Sequence, residues 1–126
     1  MRFKSKQEIF EYVIKFLIKQ GKRSYDGNNS GCMYRNPEGL KCAVGCLLSD
    51  KVYSPKMETK RINFIIEYYK KIPKYIKDNK EFLMYLQYFH DDAKSWNING
   101  LKKEEIIYFA KFHGISIDFL KETWYK

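Results

Sequence analysis

The sequence predicts a mainly α (α+β) single globular domain over residues 1–126, with about five or six short helices and one small β-hairpin near residues 32–42. Three observations predict it. Apolar residues recur at helical spacing in four separate stretches. Capping residues and glycines bracket those stretches. One tight-turn signal, Asn36-Pro37-Glu38-Gly39, lies between two runs short enough to be strands.

Ser5 with Glu8 three residues on forms a capping box, which opens a helix. Its apolar face is Ile9, Phe10, Val13, Ile14, Leu17 and Ile18, and Gly21 is a natural stop. Residues 24–31 are a polar loop. Asn at the first, Pro at the second and Gly at the fourth position make residues 36–39 a type I turn. That turn is expected to join strands at 32–35 and 40–42, pairing Arg35 with Leu40 and setting Tyr34 opposite Lys41. A short helix over Ala43–Leu48 follows. Ser54 as cap and Pro55 at the first helical position begin another, marked by Ile62, Ile65, Ile66 and Tyr69 and ended by Pro73. Asp78 and Glu81 cap the next, with the stripe Phe82, Leu83, Leu86, Phe89 and His90. A helix over Lys102–His113 carries Ile106, Phe109 and Ala110 and closes at Gly114. Ser116 caps a last short one over 117–124.

Composition restricts function. The 126 residues are 44% hydrophobic and 17% aromatic, enough to build a core without disulfide or metal staples. The N-terminus reads as neither a signal peptide nor a spanning segment, so the expected setting is cytoplasmic, with no membrane partner. Three cysteines, an odd number, agree with a reducing compartment. The net charge of +9 is concentrated in residues 1–23 and 56–80 and favours a polyanion or nucleotide partner. Only four of the 24 cations are Arg, the residue whose fork reads phosphates, so polynucleotide binding stands behind a small anion.

All three cysteines lie in Cys32–Leu47, which begins like a strand and ends like a helix. Free backbone N–H groups at such a junction suit anions and lower a thiol pKa. Cys42 as nucleophile, His90 as base and Asp91 as orienter have the order of a cysteine hydrolase. Against this, Cys42 and Cys46 one turn apart read as small buried hydrophobes. His90 lies on the apolar stripe and reads as a half-buried ring needing a partner. His113 reads as a helix C-terminal cap. Cys32, Cys42, Cys46 and His90 lack the pair spacing of a zinc knuckle, so no metal is assigned. No Gly-Lys-Ser/Thr follows Gly27 and Gly31, so no nucleoside triphosphatase is implied, and no cofactor is assigned. The ligand-binding set read from the residues is Tyr34, Arg35, Lys41, Cys42, Tyr53, Glu58, His90 and Asp91: aromatics, cations and helix N–H groups that suit a small anion.

The runs Cys32-Met33-Tyr34-Arg35, Gly39-Leu40-Lys41-Cys42-Ala43-Val44-Gly45-Cys46-Leu47-Leu48 and Asp50–Glu58 (Asp-x-x-Tyr-x-Pro-x-Met-Glu), with Leu86-Gln87-Tyr88-Phe89-His90-Asp91 and Trp96, resemble a group of small uncharacterised phage and bacterial proteins. Where that group has Gly after Met-Glu, this chain has Thr59. The resemblance implies a phage or mobile-element accessory protein acting in a host cytosol. In that context the expectation is a binder of a small anionic, nucleotide-like ligand that sequesters a host defence signal, with a homo-oligomer as a way to complete its pocket. The alternatives are the Cys42/His90/Asp91 hydrolase, a protein–protein inhibitor of a host factor, and a nucleic-acid-binding protein.

Overall fold

The computed structural model describes residues 2–25 and 32–121. In chain order the helices are α1 (Lys6–Gln20), α2 (Ile62–Tyr68), α3 (Lys74–Asp78), α4 (Lys80–Asp91) and α5 (Lys103–Phe112), with β1 (Trp96–Asn97) and β2 (Gly100–Leu101) between α4 and α5. Single 3-10 turns stand at Gly45–Leu47, Pro55–Met57, Ala93–Ser95 and Asp118–Leu120. The class is the mainly helical α+β one that the periodicity predicts.

Local chemistry explains most boundaries. Ser5 Oγ accepts from the Glu8 N–H and starts α1; Gly21 ends it in the left-handed conformation at φ +74°, where a side chain is costly. Between them Ile9, Phe10, Val13, Ile14 and Leu17 are fully buried. Among them Phe10 meets α5, whose Phe109 stacks on it with ring centroids 5.7 Å apart. On α4, Phe82, Leu83, Leu86, Phe89 and His90 turn inward as their spacing requires.

The segment Cys42–Leu48 is buried without a break, so the cysteine block is core rather than surface loop. Gly45 is there because backbone approaches backbone: a Cβ at this position would lie 2.0 Å from the Tyr34 carbonyl oxygen. Gln20, the last residue of α1, ties the block down. Its Oε1 accepts from Lys41 N–H at 2.9 Å and its Nε2 donates to the Lys41 carbonyl at 2.8 Å, as an adjacent strand would.

Several local expectations are corrected. Among the described residues the hairpin of paired strands lies at 96–101, joining Trp96 to Leu101 and Asn97 to Gly100. Over 32–42 the chain makes a turn closed by an isolated bridge, Arg35 to Lys41. Arg35 therefore faces Lys41 instead of Leu40, and Tyr34 and Lys41 are not opposite. The reason is Asn36. Its N–H donates to Leu40 O, while its Oδ1 accepts from both Glu38 N–H and Leu40 N–H, so Asn36 itself takes the place opposite Leu40. The helix expected over Ala43–Leu48 is a 3-10 turn at Gly45–Leu47. The one begun by Ser54 and Pro55 is interrupted: a 3-10 turn ends at Met57 and α2 starts afresh at Ile62. The break is Thr59, the one described residue other than glycine with positive φ, at +67°. Pro73 opens a helix, α3, that the pattern did not separate, and Asn79 instead of Asp78 precedes α4. Residues 26–31 of the polar loop and 122–124 of the last helix lie outside the described residues. Within the described part of that last stretch the cap position of the 3-10 turn is Ile117 instead of Ser116, whose Oγ accepts from Asp118 N–H in a local turn just before it.

Candidate functional site

The C-terminal end of α4 organises the centre of the molecule. Gln87 Oε1 accepts from Val44 N–H at 3.0 Å, fixing the cysteine block to the helix, and Gln87 Nε2 donates to Asp91 Oδ1 at 2.8 Å. His90, fully buried instead of half-buried, has both ring nitrogens engaged. Nε2 lies 3.1 Å from Ser24 N, and that backbone N–H can only donate, so Nε2 accepts. Nδ1 therefore bears the proton and donates to Asp91 Oδ1 at 2.8 Å. Burial pushes the His90 pKa below its ordinary value despite Asp91 beside it, so the ring is neutral. The last carbonyls of α4 are capped by side chains: Trp96 Nε1 donates to His90 O and Arg23 Nη1 to Asp91 O.

The thiols do not fit nucleophilic chemistry. Cys42 is fully buried; its sulfur accepts from Gly45 N–H at 3.2 Å, and burial drives its pKa well up, opposite to what a helix-start thiol would show. Cys46 donates to Ala43 O and is pushed up to about 12 by burial. Cys32, not Cys42, is the cysteine beside His90 and Asp91, and burial first, then Asp91, raises its pKa to about 12. The potential donor atoms of Cys32, His90 and Asp91 lie within 4.8 Å of one another. As a metal set they fit poorly. A metal on His90 Nδ1 would move the ring proton to Nε2, directly against the Ser24 N–H.

A second cluster surrounds Glu58. Its Oε1 accepts from Tyr34 N–H at 2.9 Å; its Oε2 accepts from Arg35 N–H at 3.0 Å and from Tyr53 Oη at 2.6 Å. Arg35 lies 4.4 Å over the Tyr53 ring, with Nη1 donating to Asp50 and Nη2 to Leu48 O, both at 2.8 Å. Glu58, Arg35 and Tyr53 are thus a brace that holds residues 34–35 against 48–58. Lys41 takes part through its backbone, bound by Gln20.

Between these clusters lies a cavity of about 250 Å³. Tyr34, buried and donating through its hydroxyl to Lys60 O, forms one wall. Met84, Gln87, Tyr88 and Asp91 form another, at the i, i+3, i+4, i+7 spacing of one face of α4. The turn Thr59-Lys60-Arg61 forms the rim. Of the candidate residues read from the sequence, Tyr34 and Asp91 line this cavity. His90 stands behind Asp91, Glu58 behind Tyr34, and Arg35, Lys41, Cys42 and Tyr53 are committed to the frame. Lys60, Arg61, Met84, Gln87 and Tyr88 were not found from sequence. The α4 quartet was detectable, because its helical spacing ends on Asp91.

Asp91 Oδ1 carries both the His90 and Gln87 bonds, and among the described residues Oδ2 has none from α4. The Arg61 side chain makes no hydrogen bond or ion pair among the described residues, whereas Arg23 and Arg35 are both bound to the fold. No helix of the described residues is long and apolar enough to cross a membrane. No family model, curated protein or solved structure matches the chain.

Proposed function

We propose that this protein binds, without turning over, a small anionic, nucleotide-like ligand in the cavity between Tyr34, Arg61 and Asp91. The observation that carries the reading is the uncommitted Arg61 guanidinium at the rim of a cavity walled by two tyrosines. A fork free of partners among the described residues suits a phosphate, and aromatic walls suit a flat base. The size of about 250 Å³, just below the roughly 300–1,000 Å³ common for ligand pockets, suits a mononucleotide better than a large cofactor. Binding is favoured over hydrolysis because His90, the imidazole beside Cys32, has its accepting nitrogen filled by Ser24 N–H. A binder of this kind fits the sequestration of a host signal, and a second copy of the chain would close the open rim.

The test is thermal denaturation with a panel of nucleoside monophosphates and inorganic phosphate. A nucleotide at 100 times its Kd would stabilise the fold by about 2.7 kcal/mol. The Arg61→Ala protein should lose most of that shift while keeping its own melting temperature. Heat-released ligand should be recovered intact. If no nucleotide moves the transition at millimolar concentration, the reading fails and the inhibitor of a host protein takes its place.

A further inference from the structure

We propose that the cavity chooses its base through Asp91, taking a guanine-type edge whose N–H donors meet the Oδ2 oxygen. This rests on the nucleotide reading above and adds the identity of the base.

The two oxygens of the Asp91 carboxylate are not equivalent. Oδ1 already accepts from His90 Nδ1 and from Gln87 Nε2, each at 2.8 Å, which uses both of its lone-pair sites. The same carboxylate borders the cavity beside the Cys32 thiol, and among the described residues Oδ2 is the oxygen without a hydrogen bond from α4. An ionised carboxylate can only accept, so this end of the cavity asks for donors. Guanine presents two side by side, an imino N–H and an exocyclic amine. Adenine presents an amine beside a bare ring nitrogen, whose lone pair would face the oxygen. Xanthine replaces the amine of guanine by a second carbonyl, which repels it as well. The Asp91 side chain is 38% exposed in the free protein, and a base seated on it would cover the oxygen; an acceptor so covered and left facing a lone pair discriminates strongly.

The rest of the cavity matches such a ligand in length and sign. Met84 to Asp91 spans roughly 10 Å of helix at 1.5 Å per residue, about the distance from a base edge to its 5′-phosphate. The tyrosines Tyr34 and Tyr88 flank this span, and Lys60 and Arg61 supply positive charge at the rim. Lys60 Nζ already lies 5.1 Å over the Phe64 ring, so Arg61 is the freer of the two.

The positions of the hydrogen bonds also give a clean substitution. In Asp91→Asn the amide oxygen can keep the Oδ1 place and both of its bonds, while the atom serving the cavity changes from acceptor to donor. Calorimetric titration of the wild-type protein with guanosine, adenosine and xanthosine monophosphates should show guanosine binding at least tenfold tighter than either competitor. Asp91→Asn should remove or reverse the preference for guanosine over xanthosine. Adenosine or xanthosine binding as tightly as guanosine would overturn the assignment of the base and leave the nucleotide site standing. Failure of all three to bind would overturn both. The wild-type comparison needs no variant to fold. An Asp91→Asn protein with unchanged circular dichroism that keeps the full guanosine preference also overturns the proposal.

Discussion

Cys32, Cys42 and Cys46 share one segment but not one role. Cys42 and Cys46 fill core volume; Cys32 lies half-buried against Asp91, its Sγ 3.9 Å from the Asp91 carbonyl. Because burial raises all three pKa values, thiolate is scarce at neutral pH and the residues are chemically quiet. A disulfide-exchange reagent at pH 7.5 should therefore titrate none of them quickly in the native protein and three in guanidinium. One fast thiol in the native state would refute this. The sequence allowed both readings of Cys42, since a strand-to-helix junction predicts activation and a four-residue spacing predicts packing. What decided it was the close approach of Gly45 to Tyr34 O, a contact that no local pattern encodes.

Among the elements, the turn at residues 58–61 has the largest consequences. Thr59 takes a left-handed conformation that a β-branched side chain tolerates badly, at a cost of about 1–3 kcal/mol. The surroundings hold it there: Glu58 is bound to residues 34, 35 and 53, and the Tyr34 hydroxyl is bound to Lys60 O. Thr59→Gly removes the strain but loosens the unfolded chain, so the net gain should be about 1 kcal/mol. That corresponds to a rise of roughly 3–5 °C in melting temperature, measurable by calorimetry. A lower melting temperature would mean that the Thr59 side chain contributes more than its backbone costs. Helix starts with side-chain caps were legible at Ser5 and Ser54, which both accept the expected N–H, whereas at the last turn Ile117 and not Ser116 stands at the cap. The break between the Pro55 turn and α2 was not legible, because propensity does not anticipate a threonine with positive φ. The bridge register at Arg35 slipped by one for a similar reason, since the Asn36 side chain builds a wider turn than its type I signature implies.

For the molecule as a whole, burial sets two pH boundaries. His90 and His113 have pKa values lowered by desolvation, with Lys6 adding to the effect on His113. The unfolded chain then binds more protons than the native one below the ordinary value of 6.5, so stability falls as pH drops through that point. Cys32 and Cys46 rise to about 12 from 9.0, and Tyr53 and Tyr75 to about 12 from 10.0. Their contribution is complete below pH 9 and is lost as pH climbs toward 12. Denaturant midpoints should therefore be highest between about pH 7 and 9 and fall on both sides. His90→Gln should flatten the acid limb; an acid limb as steep as the wild type would assign it to other groups. The apolar faces of α1, α4 and α5 could be read from periodicity. The cavity could not, because it forms where α2 and the 58–61 turn meet α4, a meeting between segments more than twenty residues apart.

The bond from Ser24 to His90 has a further use. Imidazole in water favours the Nε2–H form, but here the backbone amide leaves that nitrogen bare and the proton sits on Nδ1. The two ring nitrogens therefore have a reversed nitrogen-15 chemical-shift pattern, resolvable because the described chain has only one other histidine, His113. Asp91 is shared between that Nδ1–H and the cavity, so anything that draws on the carboxylate alters the same resonance. The protein carries an isotopic gauge of its own pocket, readable without a label on the ligand.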